Sequence, residues 1–241
     1  MKNELLLLTK NDIPFVEAQV NIHQPTIGEI SLIGEESFFS GCQFLNFSKN
    51  MLSAEDKKGL EDKPDFEIFM SIMCNKEATD YKNNALMVLS LLFPTFQIKF
   101  TEAEVLLLNK ESGSIARINK TNYDAFKKIL VSMFGLEDID GGGYNPVDKK
   151  AAKIAEKFQK AKQKKSHGEV KKVAIFSRYI SILAVGEAKD LNQLNEYTVF
   201  QLKDEFKRFQ MKQAFDLYVQ EKMAGAKDVK EVDNWMDDIH P

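Results

Sequence analysis

Gly28, Gly34 and Glu35, in the stretch PTIGEISLIGEESFFSG from Pro25 to Gly41, are the first residues whose types could do chemistry. Glycine amides ahead of a helix are what cradle a phosphate. A phosphate loop of the G-x-x-x-x-G-K-[ST] kind needs four residues between its glycines and a lysine after the second. Here five residues, Glu29 to Ile33, separate Gly28 from Gly34, and Glu35 stands where the lysine belongs, with a charge that repels an anion. The stretch reads instead as a helix start. Thr26 followed by Glu29 matches a capping box, in which the hydroxyl accepts from a first-turn amide and the carboxylate reaches back to the Thr26 amide. Its glycines would then permit close packing against another element.

Other constellations fail for equally physical reasons. As a calcium loop beginning at Asp138, the segment around DIDGGGYN has Gly142 at the fifth position and Lys149 at the twelfth, where a bidentate glutamate belongs. As an anion nest, its glycines are opposed by Glu137, Asp138 and Asp140. His23, His167 and His240 lie in three unrelated regions and form no ligand spacing, so solvated or hydrogen-bonded side chains are expected. Cys42 and Cys74 each lie in apolar context without C-x-x-C spacing, which points to core thiols in a reducing cytoplasm rather than a disulfide or zinc site. No G-x-S-x-G occurs, and acidic pairs such as Asp237 and Asp238 read as solvated positions on a terminal helix. No catalytic, metal or cofactor residues are assigned, and a non-enzymatic protein is expected.

The strongest physical feature is a basic arm. Between Asp148 and Lys172 stand ten lysines against three acids, a local charge of about +7 in a chain whose formal net charge is −3. Ala151, Ala152, Ile154, Ala155, Phe158 and Ala161 make a thin apolar stripe within it. Such a helix can join two domains, dock on a partner or lie along phosphates. The arm holds no arginine and only Phe158 as an aromatic, so base stacking and bidentate readout are poorly served and a protein partner is favoured over DNA or RNA.

The elements that would position these residues follow from periodicity. Residues 13–24 alternate in part (Val16, Ala18, Val20, Ile22) and predict a half-buried strand or extended arm. A helix from Thr26 carries Ile27, Ile30, Ile33, Phe38, Cys42 and Leu45 at near-helical spacing. After the polar connection 53–63, Pro64 opens PDFEIFMSIM as a helix, and KNNALMVLSLLF predicts another that stops before Pro94. TFQIKF, EVLLLN and SIARIN read as short strands, the last two joined by a hairpin turn containing Gly113. Thr121 with Asp124 resembles a second cap, for a helix running to Gly135. Three consecutive glycines, Gly141 to Gly143, mark a change of character. Beyond them IFSRYISILAVG predicts a short apolar helix, and from Thr198 a long amphipathic helix runs without Pro or Gly to Gly225, carrying Leu202, Phe206, Phe209 and Gln213 flanked by Phe215 and Tyr218. Such a length calls for a partner.

With 44% hydrophobic residues, 18 of them Phe, the 241-residue chain can fill a sizeable core. The leucine run near the start is shorter than a signal-peptide core, and no apolar run approaches the roughly 18 residues of a membrane span, so a soluble protein without leader or membrane partner is expected. The expected fold is α+β, mainly helical, with a small antiparallel sheet in an N-terminal domain over residues 1–137. A glycine hinge and lysine-rich arm follow over 138–172, then an all-helical C-terminal domain over 173–241.

The order of PTIGEISLIGEESFF, PDFEIFMSIM, the lysine-rich helix, IFSRYISILAVG, YTVFQLKDEFKRFQMKQAFD and the closing DNWM resembles proteins encoded in the tail gene cluster of phages and prophages of Gram-positive bacteria. In layout these are similar to tail assembly chaperones. The resemblance implies a late protein of the host cytoplasm that binds the tape measure protein, helps recruit tail tube subunits and is absent from the finished virion. It transfers no catalytic residues. Candidate partner-binding residues are Phe158, Lys160, Lys162, Lys164 and Lys165 on the arm, Phe206 and Phe209 on the long helix, and Trp235, the single tryptophan. Self-association is also expected. The alternative readings are a permanent component of the virion tail and a nucleic-acid-binding protein that uses the arm 148–172.

Overall fold

The computed structural model describes residues 4–49, 60, 62–75, 79–136, 174–226 and 229–237. Its architecture is α+β and mainly helical: among the described residues the strands lie in the N-terminal part and the C-terminal elements are helices. After a short helix α1 (Glu4–Leu8), the chain forms a two-stranded hairpin, two helices α2 (Ile27–Ile33) and α3 (Glu35–Leu45), then α4 (Asp65–Cys74) and α5 (Thr79–Leu92). A three-stranded sheet and helix α6 (Tyr123–Phe134) complete this part.

The alternation over residues 13–24 predicts one extended segment, and here the structure differs. β1 (Ile13–Phe15) and β2 (Val20–Ile22) pair antiparallel with Ile13 opposite Ile22, around a 3-10 turn at Val16–Ala18. Gln19 adopts left-handed backbone, φ 55°, which reverses the chain. Folding back buries Ile13, Phe15 and Ile22 together, and leaves Val16, one of the alternating positions, 76% exposed.

The Thr26 cap forms as its sequence requires. The Thr26 amide donates to the Glu29 carboxylate at 2.7 Å and the Glu29 amide donates to Thr26 Oγ1 at 3.1 Å. The helix it opens is shorter than expected, because Gly34 takes φ 85° and ψ 141°, outside helical space, and α3 starts anew at Glu35. Only glycine adopts such a backbone without a Cβ penalty, so Gly34 is a corner. Gly41 serves a different purpose. A Cβ there would stand 2.4 Å from the carbonyl oxygen of Asn84, so its absence lets α3 lie directly against α5.

The imidazole of His23 sits between carboxylates, 3.2 Å from Asp12 and 3.3 Å from Glu29. It is a hydrogen-bonded histidine, as expected; His167 and His240 lie outside the described residues. Partial burial opposes ionisation of Glu29, but its bonds to the Thr26 amide and hydroxyl and to His23 outweigh this, so its pKa falls below the usual 4.5. A carboxylate with a depressed folded pKa adds stability above its unfolded pKa and loses it as pH falls through the folded one. The thermal midpoint is therefore expected to decline with acid below about pH 4.5, and less steeply in Glu29→Gln, which keeps the acceptor but does not titrate. Equal slopes in wild type and variant, followed by circular dichroism, would refute the assignment.

The three-stranded sheet matches expectation. β3 (Phe96–Phe100), β4 (Val105–Asn109) and β5 (Ile115–Ile118) pair antiparallel in that order, with Ile98 opposite Leu107 and Leu107 opposite Ala116. Val105, Leu107, Ala116 and Ile118 are buried, so period-2 alternation gives the sheet its core face. Gly113 turns the β4–β5 hairpin at φ 69°. The cap before α6 differs from the reading of Thr121: the helix starts after Asn122, whose side chain accepts from the Asn119 amide and donates to the Arg117 carbonyl. Thr121 Oγ1 instead donates to Asn119 Oδ1. Of the two thiols, Cys42 is fully buried and its pKa is pushed well up by burial, whereas Cys74, at the end of α4, is exposed rather than in the core.

The described C-terminal helices are α7 (Ile175–Gly186), α8 (Leu191–Asn195) and α9 (Val199–Met223). They share the core of the N-terminal part. Phe38 of α3 meets Phe134 of α6 edge-on, ring centroids 5.1 Å apart, and Phe176 of α7 at 6.1 Å. Glu35 accepts from the amides of Ile175 and Phe176, so a carboxylate from α3 supplies the cap that α7 lacks in its own sequence. The hinge and arm, 138–172, lie outside the described residues. Residues 229–234, expected within a terminal helix, run without helical structure, and only a turn follows at Trp235–Asp237.

Candidate functional site

Helix α9 is anchored at its start and mostly exposed toward its end. Thr198 and Gln201 form a second capping box: the Thr198 amide donates to Gln201 Oε1 at 2.9 Å and the Gln201 amide to Thr198 Oγ1 at 3.2 Å. Thr26 and Thr198 pair as an isolated antiparallel bridge, with the Ile27 amide donating to the Tyr197 carbonyl. The two capped helix starts therefore fix one another. Val199 and Leu202 are buried, and Lys203 Nζ donates to the Phe134 and Gly135 carbonyls, placing a cation at the C-terminal end of α6.

One turn further on, Phe206 stacks on Tyr179 of α7, ring centroids 3.9 Å apart and planes 11° from parallel. Phe209 lies over Gly186, where a Cβ would come within 2.4 Å of the ring. The glycine that ends α7 is thus also the point of closest approach to α9.

Beside these rings opens a groove of about 490 Å³, lined by Leu8, Tyr197, Gln201, Arg208, Phe209 and Trp235 together with four further charged side chains. Its acidic wall is a network. Lys189 Nζ donates to Glu205 and to the Tyr197 hydroxyl, and Glu187 lies 3.6 Å away. The left-handed Ala188, φ 52°, turns the chain so that Lys189 meets α9, at a backbone cost on the order of 1 kcal/mol. Burial opposes the lysine's charge, but its bonds to Glu205 and Tyr197 dominate and its pKa is raised. Burial likewise opposes ionisation of Glu205, which the bond to Lys189 overcomes, lowering its pKa. For Glu187, burial and the hydrogen bond to Glu205 raise the pKa.

The other wall belongs to Arg208. Its Nε lies 3.4 Å from the Asp204 carboxylate, one turn back, and Nη1 donates to the carbonyls of Trp235 at 3.1 Å and Asp237 at 3.4 Å. The C-terminal segment is thereby tied onto α9.

From Gln210 to Met223 no residue of α9 is buried. Phe215, Tyr218 and Val219 are half-buried, Leu217 is 56% exposed and Met223 83% exposed. Gln213, expected on the apolar stripe, is exposed.

Of the sequence-derived candidates, the structure brings Phe209 and Trp235 to one groove and uses Phe206 in the stack on α7. Phe158, Lys160, Lys162, Lys164 and Lys165 lie outside the described residues. Sequence reasoning missed Arg208 and the Lys189 network. The spacing of Asp204 and Arg208, four apart on a helix, could have flagged the first. Nothing local joins Lys189 to Glu205. Among the described residues no group of three or more His, Cys, Asp or Glu could hold a metal ion, and no helix is long and apolar enough to cross a membrane. The groove thus offers ring faces, one cation holding backbone carbonyls and a fixed ion network. These are means of binding a polypeptide.

Residues 160–240 match the family model of the YomV second domain. That family is phage-associated, and the similarity covers the C-terminal third of the chain, including α7, α8, α9 and the segment that carries Trp235. No curated protein and no solved structure is detectably similar to the chain.

Proposed function

We propose that the chain is a phage tail morphogenesis factor, a chaperone-like and non-enzymatic binder of another tail protein such as the tape measure protein, acting in the host cytoplasm. The observation that carries this reading is the distal half of α9. A helix of 25 residues runs about 37 Å at 1.5 Å per residue, and only its first turns are packed into the body of the protein. An exposed helix bearing apolar side chains cannot cover them by itself, and a helical client offers a complementary face. Similarity of the same region to a phage-associated domain supports the setting. Tape measure and tail tube proteins are the clients that the tail-cluster resemblance implies.

Co-expression with the tail proteins of the same phage tests the reading. Wild-type chain should retain a tail protein through affinity purification. The double change Leu217→Asp, Met223→Asp should lower retention at least tenfold without shifting the thermal midpoint, since both side chains are exposed. Failure of the wild type to retain any tail protein would remove the proposal. Mass spectrometry of purified particles separates a chaperone from a virion component: the chaperone is present in infected cells and missing from particles, whereas stoichiometric amounts in particles would make it a tail subunit.

A further inference from the structure

We infer that residues 229–237 lie along α9 in cis as a displaceable strap, and that the surface they cover, with Arg208 as its clamp and the groove beside Trp235, is a site for an extended, tryptophan-bearing peptide segment.

α9 ends at Met223, yet Arg208, some 22 Å back along the helix at 1.5 Å per residue, bonds the carbonyls of Trp235 and Asp237. An extended chain covers about 20 Å between Val229 and Trp235, so the segment runs back along the distal half of α9. Its residues do not contribute to a helix or a strand. Val229, Val232, Asn234 and Trp235 are half-buried, while Lys230, Glu231, Asp233, Met236 and Asp237 are exposed, so one side of the segment lies against a surface.

Arg208 holds the segment by its main chain and not by opposite charge: its guanidinium is paired with Asp204, and Glu231, Asp233 and Asp237 of the segment are exposed. Arg208 recognises main-chain carbonyls, which every peptide has, and the ring of Phe209 lines the groove beside Trp235. The contact therefore reads a backbone and sets one aromatic side chain at the groove.

Two measurements on the full chain test this. A fluorescently labelled peptide, Asp228 to Asp237, is titrated into wild-type protein and into Trp235→Ala, which leaves Arg208 and Phe209 in place but weakens the strap. The expected result is binding to Trp235→Ala at a concentration at least tenfold lower than to wild type, and at least tenfold weaker binding of the same peptide with alanine in place of its tryptophan. Equal affinity for both proteins, or no binding to either, overturns the inference. The second measurement uses Trp235 itself, whose emission reports the strap alone because it is the single tryptophan. Arg208→Ala should shift that emission to the red and raise its quenching by acrylamide with unchanged helix content. Unaltered emission removes Arg208 as the clamp. Neither readout depends on any tail protein being the client, so failure here leaves the proposed function standing, and the reverse.

Discussion

Replacing Phe38 by alanine is expected to lower stability by about 3–5 kcal/mol, and to loosen the C-terminal helices as much as the N-terminal part. Phe38 is fully buried and its ring touches partners from both: Phe134 of α6 at 5.1 Å and Phe176 of α7 at 6.1 Å. Its neighbour Phe39 packs on the same Phe176 at 4.9 Å, and Glu35 one turn earlier caps α7. The start of α3 is therefore the peg on which α7 hangs. For a domain of this size the loss corresponds to a fall in thermal midpoint on the order of 10 °C. Hydrogen exchange followed by mass spectrometry distinguishes the mechanism. Amides of α6, α7 and the packed half of α9 should all exchange faster in Phe38→Ala. Acceleration confined to α6, with α7 and α9 at wild-type rates, would show that the C-terminal helices hold themselves together without this ring.

Gly41→Ala is the second large effect, and its sign opposes intrinsic propensity. In an isolated helix the change would stabilise by about 1 kcal/mol. Here the new Cβ would lie 2.4 Å from the Asn84 carbonyl oxygen, 2.6 Å from Val88 Cγ2 and 2.9 Å from the Asn84 carbonyl carbon. Two of these atoms are backbone of α5 and cannot rotate away, so the two helices must separate. Overpacking of this kind costs roughly 1–3 kcal/mol and at times more, and separation would also strip contacts from the buried Cys42, Ala85 and Val88. A net loss of about 2 kcal/mol is expected, read as a lower denaturant midpoint with an unchanged slope. Gly186→Ala is the comparison: its Cβ meets the far end of the Phe209 ring, which can swing aside, so the stability cost should be smaller and the groove should change instead. A neutral or stabilising Gly41→Ala would mean that α3 and α5 are not held at this distance.

The capping box at Thr26, the three-stranded sheet with its turn at Gly113, and the helices opened by Pro64 and Thr198 depend on residues within a turn of each other, and each formed where expected. The cap expected at Thr121 did not form: the helix starts after Asn122, whose side chain bonds the Arg117 carbonyl and Asn119 amide and no first-turn amide, and Thr121 Oγ1 donates to Asn119 Oδ1. Alternation over 13–24 misled because a hairpin and a single strand share the same pattern until something reverses the chain, and Gln19 is not a residue that announces left-handed backbone.

The groove was legible only in part. Phe206, Phe209 and Trp235 stood out as aromatics on amphipathic or acidic segments, but nothing said that two would meet and one would stack elsewhere. Arg208, Lys189 and the strap depend on contacts across the fold.

By itself the sequence determined the fold class, the starts of α2, α4, α7 and α9 and the strands of the three-stranded sheet, because caps, turns and periodicity act over a few residues at a time. Tertiary structure decided what Gly41 and Gly186 are for, that Glu35 serves α7, that Cys74 faces outward and that Trp235 returns to Arg208. Apart from the exposure of Cys74, each of those outcomes is a close approach between segments far apart in the chain. Close packing sets such approaches through the shape of the whole core, and no window of neighbouring residues contains it.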